Sequence, residues 1–285
     1  MATYHKLMMK GQKMASEKGL EKTAVKSLLL FASNMSPTEI YLNLKTEAPK
    51  EVEEKFYDCL DQYIVKRRPP QYIIGYTYFY GYKMKVNENV LIPRWETEEL
   101  AQNTLLLYDK YFKGKKVKVY DIGTGSGAIA ISLAKEEPNM SVKASDISPE
   151  ALEVAKENAK MNDANVEFFE SDMLNAVKDD EVFDIIVSNP PYLMTHEYVE
   201  DIVKNNEPNI ALFGGEDGLH FYRIILRDAL KHLNKDNFIM GFEHGYDKRE
   251  ELNALIKEYY KDVEILNLKD SAGLDRMTFI IKIKV

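Results

Sequence analysis

Asn189-Pro190-Pro191-Tyr192 closes the apolar run 182–188, and these four residue types can handle one particular kind of chemical group. The nitrogen of a carboxamide or an aminopurine delocalises its lone pair into a π system, so it is a poor nucleophile. It also projects two N–H donors in its own plane. The side-chain carbonyl of Asn189 beside the rigid backbone carbonyl of Pro190 can accept both hydrogens. The group is then fixed with its π face toward an incoming electrophile. Two prolines lock φ and remove competing N–H donors, and Tyr192 supplies a flat apolar wall. The same letters are also ordinary punctuation at a strand end, so the surrounding residues must decide between clamp and turn.

A second cluster is Asp121-Ile122-Gly123-Thr124-Gly125-Ser126-Gly127, at the end of one expected strand and the start of a helix. Glycines permit a tight turn and close approach of backbone to a ligand, and a helix N-terminus offers free N–H groups. With Ala128 the loop also satisfies the G-x-G-x-x-A fingerprint of nicotinamide enzymes, so it does not choose the cofactor alone. Asp146 follows at the end of the next strand, where an acid bonds ribose hydroxyls. The other use for it, capping the helix that follows, is already served by Ser148-Pro149. After the third strand, Asp172 suits an adenine amino group with Met173 packed on the ring, although Asp is common in such loops for other reasons. Position decides the cofactor. Asn189 ends the next strand on the same sheet edge as the glycine loop, so both face one crevice. A hydride-transfer enzyme wants a general acid there, and His196 reads as a solvated loop residue. An amide-holding turn beside an adenosine pocket suits S-adenosyl-L-methionine, whose sulfonium methyl moves in a single displacement helped mainly by proximity and orientation. The expected cofactor contacts are Gly123, Thr124, Gly125, Ser126, Gly127, Asp146, Asp172, Met173 and Asn189. No His/Cys/Asp spacing resembles a metal site.

The elements that must position these groups fall into three parts. Residues 1–72 read as a small helical bundle: Ser36-Pro37-Thr38-Glu39 is a capping box with Pro at the first helical position. Val52, Phe56, Cys59, Leu60 and Tyr63 recur at helical spacing before Arg67-Arg68-Pro69-Pro70, and Ala24, Val25, Leu28 and Leu29 mark another buried face. Residues 73–95, rich in Tyr, Val and Ile with Gly75 and Gly81, suggest a β-hairpin linker. It leads into a helix through Leu100 that Glu96 or Thr97 can cap. From residue 96 to 285 strands and helices alternate, with strands over 117–122, 142–146, 165–170, 182–188, 237–243, 263–268 and 276–284. Helices are expected over 127–136, 149–162, 218–233 and 248–260. Such alternation implies an α/β fold with an open, mainly parallel sheet covered on both faces, with ligands beyond the carboxyl ends of its strands.

Bulk properties narrow the partners. The 285 residues allow one or two domains, and 45% hydrophobic with 29% charged residues describes a globular protein. Neither a membrane-spanning run nor a secretion signal is evident, so the expected location is cytoplasmic. The single cysteine, Cys59, excludes a disulfide framework and reads as a packed thiol. A net charge of −8 disfavours stable nucleic-acid binding, which rests on phosphate neutralisation. A monomer is expected. Glu207-Pro208 reads as a loop-shaping pair or an ordinary turn, Glu243-His244 as a satisfied polar pair, and Arg94 and Arg276 as structural ion-pair partners.

Four segments together, Leu91-Ile92-Pro93-Arg94, Asp121 to Gly127, Asp146-Ile147-Ser148 and Ser188 to Tyr192, resemble in order and spacing the protein-(glutamine-N5) methyltransferases that modify class I peptide chain release factors. Tyr72-Ile73-Ile74-Gly75, Glu207-Pro208 with Ala211-Leu212, Gly218-Leu219 with Tyr222, and Asp275-Arg276 extend the resemblance over nearly the whole chain. The Asn-Pro-Pro-Tyr and glycine motifs are shared with other N-methyltransferases, whereas the segment from Ile92 to Glu98 is the specific one. Trp95 stands where the family usually has Pro, which bears on local loop shape. The resemblance implies a seven-stranded, Rossmann-like class I methyltransferase sheet with an N-terminal helical substrate-recognition domain. It implies methyl transfer to the glutamine of a Gly-Gly-Gln loop. Asn189 and the Pro190 carbonyl would hold the amide as the catalytic pair, and Pro191 and Tyr192 would shape its slot. The alternative is an N-methyltransferase acting on exocyclic amino groups of nucleic-acid bases, which the same turn can hold.

Overall fold

A computed structural model describes residues 2–284. Along the chain, α1 (Tyr4–Glu17), α2 (Lys22–Ser33), α3 (Pro37–Leu42), α4 (Lys50–Ile64) and α5 (Pro70–Ile74) come first. A hairpin of β1 (Tyr76–Phe79) and β2 (Tyr82–Lys85) follows. Then come α6 (Trp95–Tyr111), β3 (Val117–Ile122), α7 (Ala128–Glu136), β4 (Met140–Asp146), α8 (Pro149–Met161), β5 (Val166–Glu170) and β6 (Ile185–Ser188). The remainder is α9 (Asp201–Lys204), α10 (His220–Ala229), β7 (Asn237–Glu243), α11 (Arg249–Tyr259), β8 (Glu264–Lys269) and β9 (Asp275–Ile283).

The chain forms two compact units, Met1–Tyr76 with Val199–Asn206, and Thr77–Tyr198 with Glu207–Val285. In the first, Ser36 and Glu39 cap α3 reciprocally, the side-chain oxygen of each accepting the other's backbone N–H. Leu28 and Leu29 from α2 and Phe56, Cys59, Leu60 and Tyr63 from α4 meet in one core. The units do not follow a serial division at residues 72 and 95. The hairpin from Thr77 onward belongs to the second unit, and α9 joins the first, where Ile202 packs on the helical core and Asn206 Nδ2 donates to the Arg67 carbonyl at 2.8 Å.

The second unit is built on a seven-stranded sheet in the order β5-β4-β3-β6-β7-β9-β8. Strands β5, β4, β3, β6 and β7 are parallel, and β9 runs antiparallel to both β7 and β8. Side chains alternate between faces along each strand. Val119, Ile185 and Ile239 pack with α6 and α7 on one face. Tyr120, Ile186 and Met240 pack with α10 and α11 on the other. Each such fully buried side chain contributes roughly 1.5–3 kcal/mol, so both faces anchor the sheet. Register then defines the functional edge. Ile122 pairs with both Ser145 and Ser188, so the next residues, Gly123, Asp146 and Asn189, leave three adjacent strands at one level.

Several boundaries differ from the sequence reading for local reasons. The strand expected over 182–188 begins at Ile185. The Asp184 carboxylate accepts from the Lys118 backbone N–H at 2.9 Å and from Asn234 Nδ2 at 3.0 Å, and Phe183 makes only an isolated bridge to Leu233. Residues 70–74 form the helical turn α5, so the hairpin is confined to 76–85. Helix α6 begins at Trp95, with Arg94 at its N-cap and no side-chain capping bond. Thr97 and Glu96 therefore lie within its first turn, and Thr97 is used elsewhere.

Candidate active site

Gly123 and Gly125 take left-handed φ values of 70° and 54°, and a side chain built at either would meet nothing within 4 Å. The loop therefore bends as only glycine does cheaply, and it leaves open space over its backbone. Thr124 N–H donates to the Ser145 carbonyl at 2.8 Å, and its hydroxyl donates to Asp121 Oδ2 at 2.6 Å. Gly127 has a different task. Its N–H is spent on the Thr124 carbonyl, and a Cβ there would lie 3.0 Å from Ile131 and 3.2 Å from Ala155, which is close packing of α7 against α8. The carbonyl of buried Ser126 accepts from Asn158 Nδ2.

Two carboxylates border this loop. Asp146 accepts the Gly125 N–H at 2.8 Å and the Ser148 N–H at 3.0 Å. Partial burial raises its carboxyl above the ordinary range, and those backbone donors oppose the rise. It does not cap α8, because the Ser148 hydroxyl accepts the Ala151 N–H. Asp121 is fully buried, burial pushes its carboxyl up to about 7, and Oδ1 has no hydrogen-bond partner. The glycine motif alone assigns Asp121 no role; its type, an acid just ahead of a ligand-facing glycine loop, is the available signal. Met173 is buried at a left-handed φ of 49°, and its carbonyl accepts from the Tyr120 and Ser171 hydroxyls. Asp172 is exposed, two residues beyond β5.

Asn189 and Pro190 leave β6 beside this loop. Asn189 Nδ2 donates to Thr97 Oγ1 at 3.0 Å, and the Thr97 hydroxyl donates to Glu243 Oε2 at 2.6 Å. Tyr192 donates to Glu243 Oε1 at 3.3 Å, and Tyr222 donates to the Glu243 carbonyl at 2.6 Å. Among the described residues no donor bonds Asn189 Oδ1 or the Pro190 carbonyl, and Oδ1 is not sealed from solvent. Burial pushes the Glu243 carboxyl up to about 7, opposed by the Thr97 hydrogen bond and the charge of Arg276. The phenol of Tyr192 is raised above its usual value by burial, then by Glu243. It therefore remains a donor through the neutral range.

The turn is held from behind by backbone. A Cβ at Gly214 would lie 2.3 Å from the Pro191 carbonyl oxygen, and one at Gly218 would lie 2.4 Å from that of Tyr192. Glu207, fully buried at its carboxylate, accepts from Arg94 Nη2 at 2.5 Å and from the Ile92 N–H at 3.0 Å. This is an ion pair that ties the chain after the turn to the segment before α6, so both the loop-shaping and ion-pair readings apply. Arg276 pairs with Asp270 at 3.1 Å. His244 bonds the Gly245 carbonyl and Thr278, so the polar pair read at 243–244 resolves into two separate networks. His196 is exposed. Among the described residues, no group of three or more His, Cys, Asp or Glu is placed to hold a metal.

A parallel sheet core with an antiparallel final pair, and a glycine loop, a carboxylate and an amide turn at one edge, defines a class I methyltransferase fold. The chain superposes on a methyltransferase from Pyrococcus furiosus with a TM-score of 0.53 at 22% identity, covering 72% of this chain and 91% of that one. The methyltransferase small domain model matches residues 96–207 and the PrmC N-terminal domain model matches residues 7–75. A release factor glutamine methyltransferase from Bacillus cereus is 40% identical over 266 residues, 92% of this chain and 93% of the relative. One from Lactococcus lactis is 45% identical over 240 residues, 83% and 86% of the two chains. This chain belongs to the release factor glutamine methyltransferase family. The nucleic-acid alternative gains nothing here, since likeness to an RNA-bound methyltransferase domain at 14% identity concerns the fold alone.

Proposed function

We propose that this protein methylates the side-chain amide nitrogen of the glutamine in the Gly-Gly-Gln motif of class I release factors, with S-adenosyl-L-methionine as donor. The observation that carries the site assignment is the pair of unengaged oxygens, Asn189 Oδ1 and the Pro190 carbonyl, at the edge shared with the glycine loop. In this reading they accept both amide hydrogens and leave the nitrogen π face open, while Pro191 and Tyr192 bound the slot. The residues around the loop suit the donor. Open space over Gly123 and Gly125 admits a ligand against backbone, Asp146 can add ribose hydroxyls to its two N–H partners, and the orphaned Asp121 oxygen suits a cationic ammonium. Met173 and Asp172 are assigned to the adenine, and Thr124, Ser126 and Gly127 shape the loop beneath it.

S-adenosyl-L-methionine supplies a methyl group activated by its sulfonium. The chain supplies orientation, and no strong base is needed at the nitrogen. Once alkylated, the amide is acidified, and its proton passes by way of Asn189 Oδ1 or the Pro190 carbonyl to water. A neutral Asn also avoids desolvating another charge next to the donor.

The helical unit is assigned to recognition of the release factor, and the protein is read as a cytoplasmic monomer without stable nucleic-acid binding. No described helix is long and apolar enough to cross a membrane. Incubation of a purified release factor with the enzyme and isotopically labelled donor, followed by peptide mass spectrometry, tests the function. The label is expected on the Gly-Gly-Gln glutamine. Label on another residue, or only on added RNA or DNA, overturns the assignment.

A further inference from the structure

The Asn189 carboxamide has two ends of similar shape and opposite hydrogen-bonding character. Only one way round serves an amide clamp, because a substrate bearing N–H donors must meet Oδ1 and not Nδ2. The turn itself does not choose, since the two prolines that follow Asn189 carry no N–H. The choice is made by residues far away in sequence. A carboxylate oxygen only accepts hydrogen bonds. With Glu243 Oε2 at 2.6 Å, the Thr97 hydroxyl must therefore spend its hydrogen on Glu243. Thr97 Oγ1 then offers lone pairs alone to its other neighbour at 3.0 Å, and that neighbour must be Asn189 Nδ2. Oδ1 is left facing the other way.

We propose that Thr97 and Glu243 are positioning residues for the methyl-transfer reaction, forming a one-directional hydrogen-bond relay that keeps the Asn189 carbonyl turned toward the substrate amide. The inference rests on the amide-clamp reading of Asn189. The same carboxylate accepts from Tyr192 at its other oxygen, so a single buried acid orients two of the four residues of the turn. The Tyr222 hydroxyl donates to the Glu243 backbone carbonyl, and Arg276 acts on the carboxylate through charge.

The relay has a direction only while Glu243 lacks a proton. A protonated Glu243 can donate to Thr97, which can then donate to Asn189 and reverse the carboxamide. The groups acting on Glu243 are Thr97, Arg276 and Tyr192, which favour its ionised form, and burial with Glu96, which opposes it; the balance lies at about 7. Turnover is therefore expected to rise with pH through this region.

The test compares wild type with Asn189→Ala, Thr97→Val, Thr97→Ser and Glu243→Gln. It uses single-turnover methylation of a release factor across pH 6 to 8 and calorimetric titration with S-adenosylhomocysteine. Thr97→Val keeps the side-chain shape without the hydroxyl. It is expected to slow transfer by about 10–100-fold, the usual cost of losing an outer-shell orienting partner at metal sites, with cofactor affinity unchanged. Thr97→Ser restores the hydroxyl and should return the rate close to wild type, which a merely structural role for the methyl-bearing side chain would not do. In Glu243→Gln the amide can donate to Thr97, so the rate should fall and its rise with pH should vanish. Full activity in Thr97→Val, or a wild-type pH rise in Glu243→Gln, overturns the relay. If Asn189→Ala is slow while Thr97→Val is fast, the relay alone fails. If Asn189→Ala is itself fast, the clamp fails and takes the relay with it.

Discussion

Replacing Asn189 by Ala deletes one of the two acceptors and leaves the glycine loop untouched. Turnover should drop by roughly 10²–10³-fold, the scale of losing one polar group that orients a reacting centre, while S-adenosylhomocysteine affinity stays near wild type. Unchanged turnover in a stopped assay would rule out the clamp. Asp146→Ala acts on the other side of the site. Equilibrium titration should show cofactor binding weakened by about 1.5–3 kcal/mol, as for a lost charge-assisted hydrogen bond, and an unaltered Kd discards the ribose role. Glu243 and Asp121 add a pH dependence to stability. Burial raises their carboxyls from 4.5 and 3.8 to about 7 each. Between those values and about 7 the folded protein binds more protons than the unfolded chain, so stability falls as pH rises through the window. Glu243→Gln removes one of the two contributors, and its melting temperature should decline less between pH 5 and 8 than that of wild type. Parallel declines contradict the raised Glu243 value. Contiguous motifs make Asn189, Pro190, Asp146 and the glycines legible from sequence as candidates. Thr97 and Glu243 are 146 positions apart and Thr97 and Asn189 are 92 apart. Nothing local joins them; the packing of the first turn of α6 at the carboxyl edge of β6 and β7 does.

Among the elements, the loop over 214–218 is the firmest support of the Asn-Pro-Pro-Tyr turn. Gly214→Ala or Gly218→Ala forces a methyl group into a carbonyl oxygen at 2.3 or 2.4 Å, and backbone must move to relieve it. Each variant should lose most of its methylation rate with S-adenosylhomocysteine affinity retained. Wild-type kinetics in either variant would show that the turn does not depend on this contact. The alternation of strands and helices after residue 96 was readable because parallel strands buried on both faces appear as apolar runs. The start of β6 was not, since the Asp184 carboxylate takes the Lys118 N–H, although its backbone still bonds Lys118 and Ile239. The capping site of α6 was misplaced because Thr97, a residue type that caps helices, is instead drawn into the site.

For the whole molecule, the two-unit division follows composition near residue 76, but a chain segment that leaves the second unit to pack in the first cannot be seen in composition. Val199–Asn206 has no apolar run of its own beyond Ile202 and Val203, and its membership is set by tertiary contacts. Net charge gives the whole-molecule prediction: with −8 overall, retention on a duplex or RNA column should be absent at physiological salt. Light scattering should report the mass of one chain. Strong salt-sensitive retention, or a dimer mass at micromolar concentration, contradicts these assignments. The most direct measurement is a structure of the protein with S-adenosylhomocysteine and a Gly-Gly-Gln peptide, in which we expect the glutamine side-chain nitrogen within hydrogen-bond distance of both Asn189 Oδ1 and the Pro190 carbonyl oxygen. A glutamine bound elsewhere, or one that meets Asn189 through Nδ2, contradicts the clamp.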